Sequence, residues 1–210
     1  MNILYEDNHL IVAMKPKGIL SQSDNTKDPD MLTLLKDYIK KKYNKPGNVY
    51  LGLVHRLDRP TAGIMVFART SKAAKRLSEE IKNGEFTKKY LALVHGKFKE
   101  KAGELEDYIY KDENHKMAFI TTSNKGKYAH LEYKVIKEIG NNTLVDITLK
   151  TGRFHQIRVQ FNNINHPLVG DHKYGNDNTC DLMLYAYHLE FNHPITKERM
   201  VFDEYKEDLC

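Results

Sequence analysis

From Tyr90 onward the strand-like runs of this chain are separated mostly by turns too short for helical crossovers, and that limits the folds open to it. These β-branched and aromatic runs lie at Tyr90 to Val94, Lys116 to Thr121, Ala129 to Ile139 and Leu144 to Leu149. Most of the gaps are turns too short to hold a helix, whereas parallel neighbours need a connection of about a dozen residues or more. These strands are therefore expected to pair antiparallel. Further runs at Val49 to Val54, Gly63 to Ala68 and Leu184 to Phe191 add strands. Ile3-Leu4-Tyr5 and Leu10 to Ala13, separated by Asp7-Asn8, read as an opening hairpin. Strands outnumber helices, which predicts an α+β fold with a mixed, largely antiparallel central sheet flanked by helices and loops.

Three segments carry a helical period. Met31 to Tyr43 spaces Leu34, Leu35, Tyr38 and Ile39 for one face and puts Lys36, Lys40, Lys41 and Lys42 on the remainder. That basic face suits either solvent or phosphate. In the second, Ser71 is placed to cap, Ala74, Leu77 and Ile81 form the stripe, and Lys82-Asn83-Gly84 supplies a basic last turn and a stop. The third, with Ile157, Phe161 and Ile164, begins just beyond Thr151-Gly152-Arg153. The polar stretch from Ser21 to Asp30, after the break at Lys15-Pro16-Lys17-Gly18, reads as a surface loop rather than a linker.

Composition removes several classes of function. Lys and Arg number 33 against 28 Asp and Glu, a net charge of +5, which favours a polyanionic partner where the basic residues cluster. Cys180 and Cys210 form neither a ligand spacing nor a disulfide framework, and His55, His155, His166 and His172 lack a local metal-binding pattern, so no metal is expected. No apolar run approaches the roughly 18 residues of a membrane span, and Met1 to Glu6 leads straight into strand-like sequence. The expectation is a single catalytic domain over residues 1–210, cytoplasmic and monomeric, without a separate N-terminal RNA-binding domain.

The densest polar segment is Val54-His55-Arg56-Leu57-Asp58-Arg59-Pro60-Thr61-Ala62-Gly63, followed by the apolar run Ile64 to Ala68. Arginines on both sides of Asp58 favour its carboxylate form. Pro60 fixes the backbone after it and Gly63 permits a sharp entry into the strand, so the carboxylate is held on a rigid turn. That setting suits a positioned anion or a nucleophile, although an aspartate in a turn commonly just accepts from turn amides.

His55-Arg56-Leu57-Asp58 followed by Thr61-Ala62-Gly63 resembles the catalytic motif of the RluA family of pseudouridine synthases, and other blocks follow in that family's order. Asp7 to Gly18 resembles its opening hairpin and Lys-Pro-x-Gly turn, and Lys88 to Gly96 its tyrosine-bearing strand. Lys150 to Arg158 is similar to a third block, and His166 to Asp171 with Tyr174-Gly175 to a fourth. The resemblance implies that Asp58 is the essential aspartate, Tyr90 the tyrosine beside the target base and Arg158 the arginine paired with the aspartate. Arg153, near the helix start, competes with Arg158 for that role and is otherwise suited to phosphate. Arg56, Arg59, Arg153, His155 and Lys15 are the candidates for RNA contact, with Arg56 implied to enter the RNA stack as the uridine leaves it.

Such an enzyme breaks the uracil N1 to ribose C1′ bond, rotates the base and joins C5 to C1′, which calls for no cofactor. A carboxylate divides this into easier steps as nucleophile or as acid and base. The implied substrate is a uridine in structured RNA, ribosomal or transfer, flipped out of its stack. A catalytically silent RNA-binding protein of the same fold would keep the basic surface, but has no need of a carboxylate set against a polyanion. A glycosidase would need two carboxylates about the bond, and Asp171 reads instead as a structural turn residue.

Overall fold

A computed structural model describes residues 1–206, so Cys210 lies outside the described residues. In chain order the elements begin with β1 (Ile3–Glu6), β2 (Leu10–Lys15), α1 (Met31–Lys42), β3 (Gly52–Leu53), β4 (Ala62–Ala68) and α2 (Ser71–Asn83). They continue with β5 (Thr87–His95), β6 (Ala102–Asp112), β7 (Met117–Ile120), β8 (Lys127–Ile139), β9 (Asn142–Leu149), α3 (Gln156–Asn163), β10 (Leu184–Asn192) and β11 (Arg199–Asp203). The chain forms two compact units, one of Met1–Phe86 with Ala186–Tyr205, the other built on Thr87–Tyr185. The fold is α+β with a mostly antiparallel sheet: β1 with β2, β2 and β3 with β4, β5 with β9, β6 with β7 and β8, β8 with β9, and β10 with β11 all pair antiparallel.

In the first unit the strands run in the order β1-β2-β4-β10, with β3 on β4 and β11 on β10. Leu10 and Val12 of β2, Ile64 and Val66 of β4, and Leu189 and Phe191 of β10 meet Ala73 and Leu77 of α2 in one core. Each such large apolar side chain contributes roughly 1.5–3 kcal/mol on burial. Phe86 stacks on Phe191 with ring centroids 5.2 Å apart and closes the core. Helix α2 is capped one residue earlier than the sequence suggests: Thr70, not Ser71, is the N-cap, its hydroxyl accepting from the Ala73 amide at 3.1 Å. The buried stripe shifts with it, from the expected Ala74, Leu77 and Ile81 to Ala73, Leu77 and Glu80, with Ala74 and Ile81 at its edge. Gly84 ends the helix in the left-handed region, as expected.

The second unit orders its strands β5-β9-β8-β6-β7. Helix α3 lays Val159 against Ile109 of β6, Ala118 of β7 and Ala129 of β8. Strand β6 escaped the sequence reading because Glu104, Glu106, Tyr108 and Tyr110 face solvent on alternate positions, leaving Leu105 and Ile109 as its only aliphatic signal. Conversely, the run Val49 to Val54 yields only the two residues of β3. Among the described residues, no helix is long and apolar enough to cross a membrane.

Candidate active site

In the first unit, Asp58 occupies the turn that leads into β4. Its carbonyl accepts from the Thr61 amide at 3.0 Å, which makes 58–61 a closed turn, and its side chain is half-buried. Gly63 follows at φ 141°, where a Cβ would stand 2.2 Å from the carbonyl oxygen of Ala186 on β10. No L side chain fits there, so the glycine is what lets the turn descend into the sheet.

This turn is braced from the segment after β2. Ser21 Oγ donates to the carbonyl of Leu57 at 2.7 Å and accepts the Leu57 amide at 3.0 Å. The Gly18 amide donates to the Arg59 carbonyl at 2.9 Å, and Arg59 Nε returns a bond to the Gly18 carbonyl at 3.1 Å. Arg59 also pairs with Asp28 at 2.7 Å. The loop from Ser21 to Asp30 is therefore more than the plain surface loop the sequence suggests. Its first residue is buried, its last caps α1 by accepting from the Thr33 amide, and a parallel bridge between Leu20 and Asp30 closes it. Serine in a polar stretch gives no sequence signal of such a buried role.

Lys15, at the end of β2, is 1 % exposed, and its ammonium donates to the carbonyls of Pro16 at 3.0 Å, Ile19 at 2.6 Å and Arg59 at 3.0 Å. It is committed inward and does not reach a phosphate, contrary to the RNA contact expected of it. Burial pushes its pKa down to about 8, against the favourable charge of Asp58 and together with the repulsion of Arg59. Arg56 and Arg59, in contrast, are exposed and accessible to a polyanion. Lys15, Asp58 and Arg59 are thus brought together within this unit.

In the second unit, Tyr90 lies on β5 opposite Ile147 and is 7 % exposed. Two residues earlier on the same strand face, Lys88 is also buried, and burial lowers its pKa. Arg158 projects from α3 and is 5 % exposed; its Nε meets Asp171 Oδ2 at 2.9 Å and its NH2 meets Oδ1 at 2.7 Å. Asp171 is fully buried and also accepts the amides of Lys173 at 3.0 Å and Tyr174 at 3.2 Å. It is a turn residue, as its sequence suggests, and in addition the anion that orients Arg158. Burial would raise the Asp171 pKa, but the hydrogen bond and charge of Arg158 outweigh it and hold the carboxyl below its ordinary range.

The turn before α3 rests on one side chain. Gln156 Oε1 accepts from Thr151 Oγ1 and from the Arg153 amide, both at 2.9 Å, while its Nε2 donates to the His130 carbonyl at 3.1 Å. Arg153 itself is exposed, with Nε donating to the Tyr128 carbonyl at 2.7 Å. His155 is the N-cap of α3, in the left-handed region at φ 52°, and makes no side-chain cap. It is 9 % exposed, stacks on Phe154 and has Nδ1 2.8 Å from the Tyr174 hydroxyl. A non-glycine residue in this conformation is costly, and such strain concentrates at functional sites.

One group of potential metal ligands exists among the described residues: Glu104, His130 and Glu132, brought from β6 and β8 with ligand atoms within 4.8 Å. Local spacing in the sequence cannot reveal a cross-strand group. Lys150 already pairs with Glu132 at 2.8 Å, so a cation balances part of its charge.

Comparison with known proteins places these residues in a familiar context. Residues 9–163 match the family model described as RNA pseudouridylate synthase. A protein of Borreliella burgdorferi named ribosomal large subunit pseudouridine synthase D is 33% identical over 198 residues, covering 90% of this chain and 60% of the relative. One of Buchnera aphidicola named ribosomal large subunit pseudouridine synthase C is 34% identical over 210 residues, covering 95% and 65% respectively. The chain thus spans under two thirds of the length of these two relatives. A solved structure of human RNA pseudouridylate synthase domain containing 4 superposes with a TM-score of 0.81 at 22% identity, covering 97% of this chain and 88% of that one.

Proposed function

Since the chain belongs to the RluA-type family of RNA pseudouridylate synthases, we propose that it isomerises uridine to pseudouridine in structured RNA, with Asp58 as the essential carboxylate. The observation that carries this reading is the bracing of the Asp58 turn by Ser21, Gly18 and Lys15. A turn held from three sides positions a carboxylate as a reaction at an anomeric carbon requires, and binding alone gives no reason for it.

Asp58 serves as nucleophile or as acid and base while the glycosidic bond breaks and the C5 to C1′ bond forms. Tyr90 stacks on the extruded uracil, and its hydroxyl assists proton removal. Of the two arginines open to a role in the Asp58 reaction, Arg158 is the one assigned: it is buried and its fork is fixed by Asp171, whereas Arg153 is exposed and fits phosphate. Arg56 and Arg59 in the first unit and Arg153 in the second are exposed and suited to RNA phosphates. His155, buried under Tyr174, supports Arg153 by shaping the turn. The substrate we favour is large-subunit ribosomal RNA, because the relatives in Borreliella burgdorferi and Buchnera aphidicola carry that name. The enzyme acts as a cytoplasmic monomer, with residues 1–210 serving as one catalytic domain and needing no cofactor.

The test is single-turnover conversion of a large-subunit ribosomal RNA transcript by saturating enzyme, with a transfer RNA transcript alongside. Asp58→Asn keeps the size of the side chain and removes its charge. Its turnover should fall at least ~10³-fold, roughly 4 kcal/mol in the barrier. RNA affinity should hold, since removing a negative charge does not weaken attraction to a polyanion. Near-wild-type conversion by a folded Asp58→Asn protein would remove the assignment.

A further inference from the structure

Lys15 is an unusual place to spend a lysine. It lies at the end of β2 opposite Gly63 of β4, essentially without solvent, and all three of its N–H donors end on carbonyls. Those carbonyls belong to two separate pieces of chain, the turn at Pro16 to Ile19 and the Asp58 turn at Arg59. A purely structural tie between backbone oxygens does not need a full charge, and burying one costs several kcal/mol unless it is compensated. The charged groups acting on it, among the described residues, are Asp58, which favours its cation, and Arg59, which opposes it and is itself paired with Asp28.

We propose that Lys15 is a positioning residue for Asp58, its protonated ammonium fixing the Asp58 turn against the Pro16 to Ile19 turn and supplying the counter-charge for the carboxylate. The inference rests on the synthase reading and adds to it the residue whose proton sets the alkaline limit of the reaction. When the ammonium loses that proton, only two N–H donors remain for three carbonyls, and the positive charge beside Asp58 disappears. Because burial has already brought the Lys15 pKa to about 8, this happens within an accessible range.

Stability and activity should then move in opposite directions. The folded pKa of Lys15 lies below the ordinary 10.5, so between those values the unfolded chain binds more protons and the Lys15 contribution to stability rises with pH. A lysine with a merely structural role would not lower turnover where its own contribution strengthens the fold.

The experiment measures single-turnover conversion of the ribosomal transcript from pH 6.5 to 9.5, with melting curves and RNA affinity over the same range. Wild type should show a plateau followed by at least a ~10-fold decline centred near 8, while fold and affinity persist. Lys15→Met, which fills the space without charge, should be at least ~10-fold slower at pH 7 and lack the decline. Lys15→Arg, whose cation does not titrate in this range, should also lack it, and it serves if the methionine variant fails to fold. A flat wild-type profile to pH 9.5, or the same decline retained in the folded variants, overturns the proposal. A wild type that converts no uridine at any pH overturns the synthase reading, and the role of Lys15 falls with it. An active wild type with an unchanged decline in the variants overturns the Lys15 role alone.

Discussion

At the scale of single residues, the Arg158 and Asp171 pair has a large energetic consequence. The two groups meet through two parallel hydrogen bonds with almost no solvent around them. Removing one partner from such a pair leaves an uncompensated buried charge, at a cost of about 3–5 kcal/mol. Asp171→Asn should accordingly lower the melting temperature markedly, and slow turnover as well by releasing the fork of Arg158. The pH dependence has a definite sign. Because the folded pKa of Asp171 lies below 3.8, its stabilisation is fully present above that value and is lost as pH falls through the lower folded one. Melting curves of wild type and Asp171→Asn should therefore differ at neutral pH and draw together in strong acid. A difference that does not shrink as pH falls would place the effect elsewhere.

Among the elements, β4 carries the most weight, since it places the Asp58 turn at one end and the central residues of the first core along its length. Gly63→Ala tests that placement directly. The new methyl would meet the Ala186 carbonyl at 2.2 Å from a backbone conformation that alanine resists, and neither rigid strand can yield cheaply. A loss of at least ~3 kcal/mol is expected, with lower soluble yield. A melting temperature within a degree or two of wild type would mean that β4 and β10 separate more readily than their packing suggests. Much of this level could be read in advance. The apolar run from Ile64 to Ala68, the period of α2 and the glycine turn before α3 each state their structure through local pattern. Strand β6 could not be read so, because its charged and tyrosine face outweighs its aliphatic one. The bracing by Ser21, the inward turn of Lys15 and the match of Asp171 to Arg158 are long-range pairings, and a motif records which residues are present without recording what each one touches.

On the scale of the whole molecule, a net charge of +5 says little until the exposed cations are separated from those already committed. Lys15 and Arg158 are buried on internal acceptors, and Lys42 pairs with Glu6 at 2.8 Å. Arg59 is exposed but pairs with Asp28 at 2.7 Å, whereas Arg56, Arg153, and Lys40 and Lys41 at the end of α1 are exposed. RNA affinity should therefore fall as salt rises, with a slope of log affinity against log salt of about −0.7 for each phosphate neutralised on single-stranded RNA. The variants distinguish the two classes of cation. Arg153→Ala should make the slope shallower by about one such step, because it removes an exposed guanidinium at the mouth of α3. Lys15→Met should leave the slope as it is, since a cation with no solvent contact displaces no counterion from the RNA. Titrations between 50 mM and 300 mM salt, roughly the range in which counterion release dominates, measure both. A slope that flattens in Lys15→Met and not in Arg153→Ala would reverse the division between inward and outward cations on which the reading of both residues depends.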